Sequence, residues 1–112
     1  MNEILTRALL YDFYGELLTK HQKNIYAQYV VEDLSMSEIA VQMGISRQGV
    51  HDLIRRSQKV LEDYEEKLHL VKRFLSIREN VREMEFVLES SIEVAEMIVQ
   101  IRRISRQILD EL

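Results

Sequence analysis

The sequence predicts an all-α protein, in which a helix-turn-helix core is followed by a long C-terminal helical extension. Two features of the composition indicate helices: the 112 residues include no proline and only three glycines, and 46% are hydrophobic and 30% charged. Such a mixture is dominated by helix formers. The third observation is the segment 36–55, whose order of residue types is typical of a helix-turn-helix. No other part of the sequence carries so specific a pattern.

The composition also excludes several classes of protein. Without cysteine, the chain has no disulfide, thiolate metal site or cysteine nucleophile, which fits a reducing cytoplasm. No unbroken apolar run is long enough to span a bilayer, and the N-terminus carries no basic-then-apolar export signal. We therefore expect a cytoplasmic protein without membrane insertion.

The first 35 residues predict two amphipathic helices. Over residues 4–18, apolar side chains recur at steps of three and four, which gives a helix with a wide apolar face. Thr19 is placed to cap the second helix, whose apolar side includes Tyr26 and Tyr29. Residues 32–35 interrupt this pattern and lead into the motif.

The helix-turn-helix is predicted from steric requirements. Ser37 and Glu38 are placed to open its first helix, Gly44 supplies a turn residue that tolerates positive φ, and Ser46 caps the second helix. Positions that must be small or buried where the helices cross carry suitable residues. These are Ile39, Ala40, Gly44, Ile45, Val50 and Leu53.

Beyond the motif, the second helix runs on without a breaker to Leu68, with a bend expected near residues 68–70. The next apolar positions are Val71, Leu75, Val81, Met84 and Leu88. Ser90 and Glu93 fit a capping box for a last helix. That last helix is too apolar to lie free in water. We expect residues 1–68 to form the helix-turn-helix domain and residues 69–112 a packing or dimerisation extension of the same compact unit.

The candidate nucleic-acid-binding residues lie on the outward side of the second motif helix. They are Arg47, Gln48, His51, Arg55, Arg56 and Lys59. The segment 46–59 has a net charge of +3, whereas the whole chain has −4. A local basic surface on an acidic body favours a specific nucleic-acid site over non-specific coating. The alternative is that the motif serves as a protein-binding or dimerising module.

Two residues within this helix do not fit the pattern simply. Asp52 would repel phosphate; it could accept from a cytosine amino group, but a surface pair with Arg55, Arg56 or Lys59 is the favoured interpretation. Gly49 either permits close backbone approach to a ligand or is tolerated near the helix start, and the second interpretation is preferred.

The same residues resemble two related groups of proteins. Residues 37–40 (Ser-Glu-Ile-Ala), 44–46 (Gly-Ile-Ser) and Val50 look like the helix-turn-helix of sigma-factor region four, which reads promoter DNA. A closer resemblance, over nearly the whole chain, is to the YlxM-like family of small bacterial proteins. It is carried by residues 11–14 (Tyr-Asp-Phe-Tyr), 17–19 (Leu-Leu-Thr), 22–23 (Gln-Lys), 46–50 (Ser-Arg-Gln-Gly-Val) and 64–68 (Tyr-Glu-Glu-Lys-Leu). The resemblance implies an all-α bacterial protein with a sigma-like motif, linked by gene context to the signal recognition particle pathway.

An enzyme is not predicted. The three glycines, at positions 15, 44 and 49, cannot form a phosphate-cradling loop. The three histidines lack metal-ligand spacing, and the carboxylates after residue 60 alternate with cations as on a solvated helix face. We expect no catalytic residues, metal or cofactor. The tyrosines of the first two helices could stack on single-stranded bases, but their spacing favours the core.

The first functional hypothesis is therefore a cytoplasmic, homodimeric DNA-binding regulator that reads DNA with the helix starting at Ser46. The alternative is an accessory of the signal recognition particle pathway that acts through its protein or RNA component. RNA remains open as the nucleic acid, although a helix fits poorly into the narrow major groove of A-form RNA.

Overall fold

The computed structural model describes residues 3–112, and within them it confirms an all-α fold. The helices are α1 (Glu3–Tyr14), α2 (Lys20–Val30), α3 (Met36–Met43), α4 (Arg47–Leu68), α5 (Leu70–Glu89) and α6 (Val94–Glu111), with a 3₁₀ turn at Gly15–Leu17. The chain divides into two compact units after Val71, within α5. No helix in the described part of the chain is long and apolar enough to cross a membrane.

The first helix ends earlier than the apolar pattern predicts. The sequence indicated a helix to residue 18, whereas α1 ends at Tyr14 and gives way to the 3₁₀ turn. Gly15, the first residue of that turn, is buried, and a Cβ there would lie 3.1 Å from the Tyr11 ring. Leu18 is already extended (φ −75°, ψ 154°), and its side chain is buried. Leu18 of the predicted apolar face is thus buried from an extended backbone rather than from a helix.

The second helix begins where its capping residue predicts. Thr19 Oγ1 accepts a hydrogen bond from the Gln22 N–H at 3.2 Å, and Gln22 Oε1 accepts one from the Thr19 N–H at 3.1 Å. This reciprocal capping box satisfies two N–H groups that have no intrahelical partner. It confirms Thr19 as the cap and makes the start of α2 a local property of the sequence.

The core of the first unit draws on every helix up to the start of α5. Tyr14, Ile25, Tyr26, Ile39, Val50 and Leu61 are at most 1% exposed. The rings of Tyr11 and Tyr26 stack with centroids 6.1 Å apart, and those of Tyr14 and Tyr64 do the same. Because Tyr14 and Tyr26 are core residues, they cannot form a stacking platform for bases.

The junction of α4 and α5 is a complete break, whereas the sequence predicted a bend. His69 adopts a left-handed conformation (φ 57°) and ends α4. The first N–H groups of α5 then find side-chain acceptors: Leu70 donates to Tyr14 Oη at 3.1 Å, and Val71 donates to Glu65 Oε1 at 2.9 Å. Tyr14 Oη in turn donates to Glu65 Oε1 at 2.6 Å. Side chains from α1 and α4 therefore cap α5.

The second unit is a hairpin of α5 and α6. Ser76 Oγ donates to Glu111 Oε1 at 3.0 Å, and Arg103 on α6 pairs with Glu83 on α5. As the residue number rises on α5 it falls on α6, so the two helices run antiparallel. Among residues 72–112, Val87 and Ile104 are the buried apolar side chains.

The hairpin departs from the sequence predictions at two points. Val87, which lies outside the predicted apolar series, is buried, whereas Leu88 of that series is 59% exposed; Leu75 and Met84 of the series are half-buried. The capping box of Ser90 and Glu93 is also absent. Ser90 Oγ instead donates to the Val87 carbonyl at 2.6 Å, and Glu93 occupies the N-cap of α6 without a side-chain hydrogen bond.

Candidate nucleic-acid interface

The turn between α3 and α4 has the geometry of a helix-turn-helix. The N-cap of α3 is Ser35, rather than Ser37, because Ser35 Oγ accepts from the Glu38 N–H at 3.1 Å and Glu38 Oε1 accepts from the Ser35 N–H at 3.2 Å. Gly44 ends α3 at φ 67° and ψ 32°, the conformation that the sequence required of it. Its N–H and that of Ile45 both donate to the Ala40 carbonyl, which closes the helix end.

The start of α4 is fixed by Ser46, as predicted. Ser46 Oγ accepts a hydrogen bond from the Gly49 N–H at 2.9 Å. A Cβ on Gly49 would lie 3.2 Å from that same oxygen, so glycine leaves the cap undisturbed. This explains Gly49 by local capping at the helix start, whereas the preferred sequence interpretation had glycine only tolerated there.

The motif residues fall into two groups by burial. Ile39 and Val50 are fully buried, whereas Ala40, Ile45 and Leu53 are half-buried. Along α4 the buried positions continue through Ile54, Ser57 and Leu61 at steps of three and four. This spacing holds one side of α4 against the core and turns the opposite side outward.

The outward side of α4 carries five of the six candidate binding residues. Arg47, Gln48, Arg55, Arg56 and Lys59 are exposed, and His51 at its edge is half-buried. Within residues 3–112, Arg47, Arg55 and Arg56 form no ion pair with a carboxylate. Their guanidinium groups are therefore free to meet phosphates or base edges.

Asp52 does not pair with the neighbouring cations as the sequence favoured. Its Oδ1 accepts a hydrogen bond from Gln48 Nε2 at 3.1 Å and lies 3.7 Å from His51 Nδ1. Gln48 precedes Asp52 by one helical turn, so their side chains meet on the same face. Gln48 must release this carboxylate before its whole amide can meet a base edge.

Lys59 differs from the arginines because it has a carboxylate partner. Its Nζ lies 2.9 Å from Asp63 Oδ1. The hydrogen bond to Asp63 raises the pKa of Lys59. Beyond it the exposed face becomes acidic, with Glu62 and Glu66. The unpaired arginines Arg47, Arg55 and Arg56 thus lie together in the first half of α4, over about 15–20 Å at 1.5 Å per residue, whereas Lys67 stands alone at the far end.

A shallow hollow on this face adds Gln22, which the sequence analysis did not single out for binding. It is lined by Gln22 of α2 and, on α4, by Arg55, Arg56, Gln58, Lys59, Val60 and Glu62. Since α4 supplies nearly all of this lining, the hollow is an exposed helix surface rather than a cleft with two walls. Gln22 lies there because its capping role fixes the start of α2 beside α4, a neighbourhood that the local sequence could not indicate.

The described residues offer no cluster of metal ligands. No group of three histidine, aspartate or glutamate side chains within 3–112 is arranged to hold a metal ion. His21 and His69 are exposed, and His69 ends a helix.

Comparison with known proteins gives a consistent relationship. Residues 1–104 match the model of the UPF0122 family, described as "Putative helix-turn-helix protein, YlxM / p13 like". A UPF0122 protein from Acetivibrio thermocellus is 41% identical over 109 residues, which cover 96% of this chain and 92% of that protein. One from Thermoanaerobacter sp. (strain X514) is 49% identical over 76 residues, covering 68% and 65%. One from Geobacillus kaustophilus is 52% identical over 65 residues, covering 58% and 59%.

Proposed function

This chain belongs to the UPF0122 family of YlxM- and p13-like proteins, and on that premise we propose that it is a bacterial regulator that binds duplex DNA. UPF0122 is not a known family of enzymes, and binding rather than catalysis suits the surface. The observation that carries the proposal is a set of three arginines on the outward side of the second motif helix, none of which forms an ion pair within residues 3–112. An exposed helix of this kind fits the major groove.

In the proposed complex, the N-terminal turn of α4 meets the bases. Arg47 and Gln48 lie there, at a helix end that itself favours phosphate. Arginine recognises guanine, and glutamine recognises adenine, through paired hydrogen bonds. Binding would exchange the contact between Gln48 and Asp52 for base contacts, leaving Asp52 to accept from a cytosine amino group. His51 follows at the edge of this surface.

The following turns of α4 meet the backbone. Arg55 and Arg56 are exposed and unpaired within the described residues, and each can neutralise one phosphate. Lys59 contributes after it leaves Asp63. If Arg55, Arg56 and Lys59 each neutralise one phosphate, the log–log slope of affinity against salt is about −2.7 per subunit, at roughly −0.9 per phosphate. A phosphate contact from Arg47 as well would make the slope about −3.6.

In the proposed function, the protein acts as a homodimer in the cytoplasm. A two-fold axis would present two copies of α4 to successive faces of the major groove. The alternative from the sequence, an accessory of the signal recognition particle pathway, would use the same basic surface on an RNA or a protein.

The test is a fluorescence anisotropy titration on three ligands: a duplex selected from genomic DNA, a random duplex and the RNA of the signal recognition particle. We expect the selected duplex to bind most tightly. Arg47→Ala or Gln48→Ala should narrow the gap between selected and random duplex by about 1–3 kcal/mol, because a paired base contact is lost. Lys67→Ala removes an exposed cation from the far end of α4 and is the matched control. Absence of duplex binding at low salt contradicts the proposal, and binding to the RNA alone supports the alternative.

A further inference from the structure

The hairpin of α5 and α6 leaves one side apolar over most of its length. On α5, Val81 and Leu88 lie seven residues apart and are 42% and 59% exposed. On α6, Ile98 and Leu109 are 53% and 66% exposed, and Ile101 between them is half-buried. Leu88, Ile98, Ile101 and Leu109 line one groove. We call these five side chains the apolar hairpin face.

The antiparallel register explains why these residues share a side. Ser76 contacts Glu111, and Glu83 contacts Arg103. In this register, the numbers of two residues that lie opposite each other sum to about 187. Continuing that register brings Leu88 level with Ile98. Residues on one face of a helix recur every three or four positions, which adds Val81 on α5 and Ile101 on α6. The apolar hairpin face therefore spans both helices.

The second unit needs another layer to bury this face. Among residues 72–112 only Val87 and Ile104 are buried apolar side chains. A unit of about 40 residues with so little core usually requires oligomerisation when it has no disulfide or metal. Helices of 20 and 18 residues have the near-equal lengths from which two hairpins build a four-helix bundle.

The charged side chains around the apolar hairpin face favour a second copy of this chain as the partner that covers it. Arg102 and Arg106 line the groove on α6. Glu85 and Glu89 flank Leu88 along α5 and are exposed. None of these four has an ion pair in the described part of the chain. Setting α6 of one copy on α5 of another brings opposite charges together around an apolar centre.

The exposed area of these side chains supplies part of what a stable interface needs. At about 25 cal/mol per Å², the transfer energies of valine, leucine and isoleucine correspond to roughly 60–120 Å² for a fully exposed side chain. Since the five are about half exposed, they contribute roughly 150–300 Å². The stems of Arg102 and Arg106 and the neighbouring side chains of both helices supply the rest of the ~800 Å² per partner.

We infer that a second copy of this chain covers the apolar hairpin face, with α6 of each copy packed on α5 of the other. The inference rests on the homodimer of the proposed function and names its interface. Its test measures mass without nucleic acid, so its failure is distinct from a failure to bind DNA.

Sedimentation equilibrium of the full chain should give about 26.6 kDa, twice the 13.3 kDa of one chain, at micromolar concentration. The double variant Ile98→Glu/Leu109→Glu should raise the dimer Kd on the order of 100-fold or more, because unpaired carboxylates would be buried in the interface. Both positions are more than half exposed, so the monomer fold should tolerate the change. Phe86→Glu/Val99→Glu is the matched control, since these apolar side chains are 75% and 60% exposed and lie outside the groove.

Charge reversal tests the arrangement without touching apolar residues. Arg102→Glu/Arg106→Glu should weaken the dimer about tenfold, and adding Glu85→Lys/Glu89→Lys should restore it. A 13.3 kDa species at every concentration overturns the inference, and the face would then serve a different partner. If Phe86→Glu/Val99→Glu weakens the dimer as much as Ile98→Glu/Leu109→Glu, the apolar hairpin face is not the interface. If the charge reversal has no effect on the dimer Kd, α6 does not pack on α5 of the other copy.

Discussion

Two buried tyrosines show how the surroundings of a single hydroxyl decide its contribution. The hydroxyl of Tyr14 donates to Glu65 and accepts from the Leu70 N–H. The hydroxyl of Tyr26 is buried with no hydrogen-bond partner among the described residues. A buried polar group without a partner loses its hydration and gains nothing in return. The two side chains share a core, but the hydroxyl of Tyr14 stabilises the fold whereas the hydroxyl of Tyr26 costs free energy.

Removing these two hydroxyls should therefore have different effects on stability. Tyr14→Phe deprives Glu65 of a donor and the Leu70 N–H of its acceptor, and should lower the free energy of unfolding by about 1–3 kcal/mol. Tyr26→Phe removes an unpaired hydroxyl and should leave that free energy unchanged within about 1 kcal/mol or raise it. Urea unfolding of both variants at pH 7 makes the comparison. Equal destabilisation by the two substitutions would contradict this account.

Tyr26 should also make the protein sensitive to alkali. Burial raises the pKa of Tyr26 to about 12, compared with about 10 in the unfolded chain. Between these values the folded state holds a proton that the unfolded state has lost, so stability present below pH 10 falls as the pH rises toward 12. The loss from this group is at most about 2–3 kcal/mol.

Tyr26→Phe should flatten that decline between pH 10 and 12, in urea unfolding measured at several pH values. Burial also raises the pKa of Tyr14, helped by its hydrogen bond to Glu65. Since Tyr14 stays in the variant, some decline should persist. An unchanged pH profile would show that Tyr26 is not the titrating group.

The bond between Lys59 and Asp63 distinguishes the cations of the proposed DNA surface. Arg56→Ala should flatten the salt slope by about 0.9, because one phosphate contact is lost. Lys59→Ala should flatten it by less, since Lys59 must first leave Asp63. Asp63→Asn frees Lys59 and should increase affinity for selected and random duplex alike. Salt titrations of the three variants measure these slopes and affinities. If Asp63→Asn binds DNA more weakly than the wild type, the Lys59–Asp63 bond does not limit DNA binding.

At the scale of the element, the turn of the helix-turn-helix depends on one backbone conformation. Gly44 has φ 67°, and no atom of the described residues, apart from its immediate neighbours in the chain, lies within 4 Å of the position of a Cβ. The cost of a side chain there is therefore conformational strain rather than a clash. Gly44→Val should destabilise the protein by about 1–3 kcal/mol. Gly44→Asn should cost less, because asparagine enters the left-handed region more readily.

Thermal unfolding followed by circular dichroism tests this difference. Gly44→Asn is the control for the loss of glycine itself, because the asparagine and valine side chains would occupy the same open space and differ in how readily they adopt positive φ. If valine and asparagine lower the melting temperature equally, the left-handed conformation is not what Gly44 supplies.

At the scale of the whole molecule, the two units differ in how much core they contain. Eleven buried apolar side chains lie between Leu9 and Val71, compared with two in the described residues that follow. A fragment of residues 1–71 should therefore unfold cooperatively, as a domain with its own core does. The sequence placed this boundary at residue 68, and the packing of Val71 favours including three more residues.

Circular dichroism and urea unfolding of that fragment provide the measurement, with a fragment of residues 72–112 for comparison. We expect the helicity of 72–112 to rise with concentration, because its core is completed only by association. A 1–71 fragment without a cooperative transition would show that the first unit depends on the second.

The parts of the fold that the sequence predicted are those set by short-range hydrogen bonds. Thr19, Gly44 and Ser46 act on atoms within four or five residues, so their roles can be read from neighbouring positions. The outward side of α4 follows in the same way from the spacing of its buried residues. The proposed binding residues share that basis, since burial of one face exposes the other.

The sequence by itself determined the all-α class, the helix-turn-helix and the basic first half of α4, because propensity, capping and periodicity are local. Only the tertiary structure decided the complete break at His69, since the acceptor for the Leu70 N–H is Tyr14, which lies 56 residues away. It also decided that Val87, rather than Leu88, is the buried residue on α5. In both cases a contact between distant segments outweighed a local pattern that allowed more than one outcome, and no local rule contains such a contact.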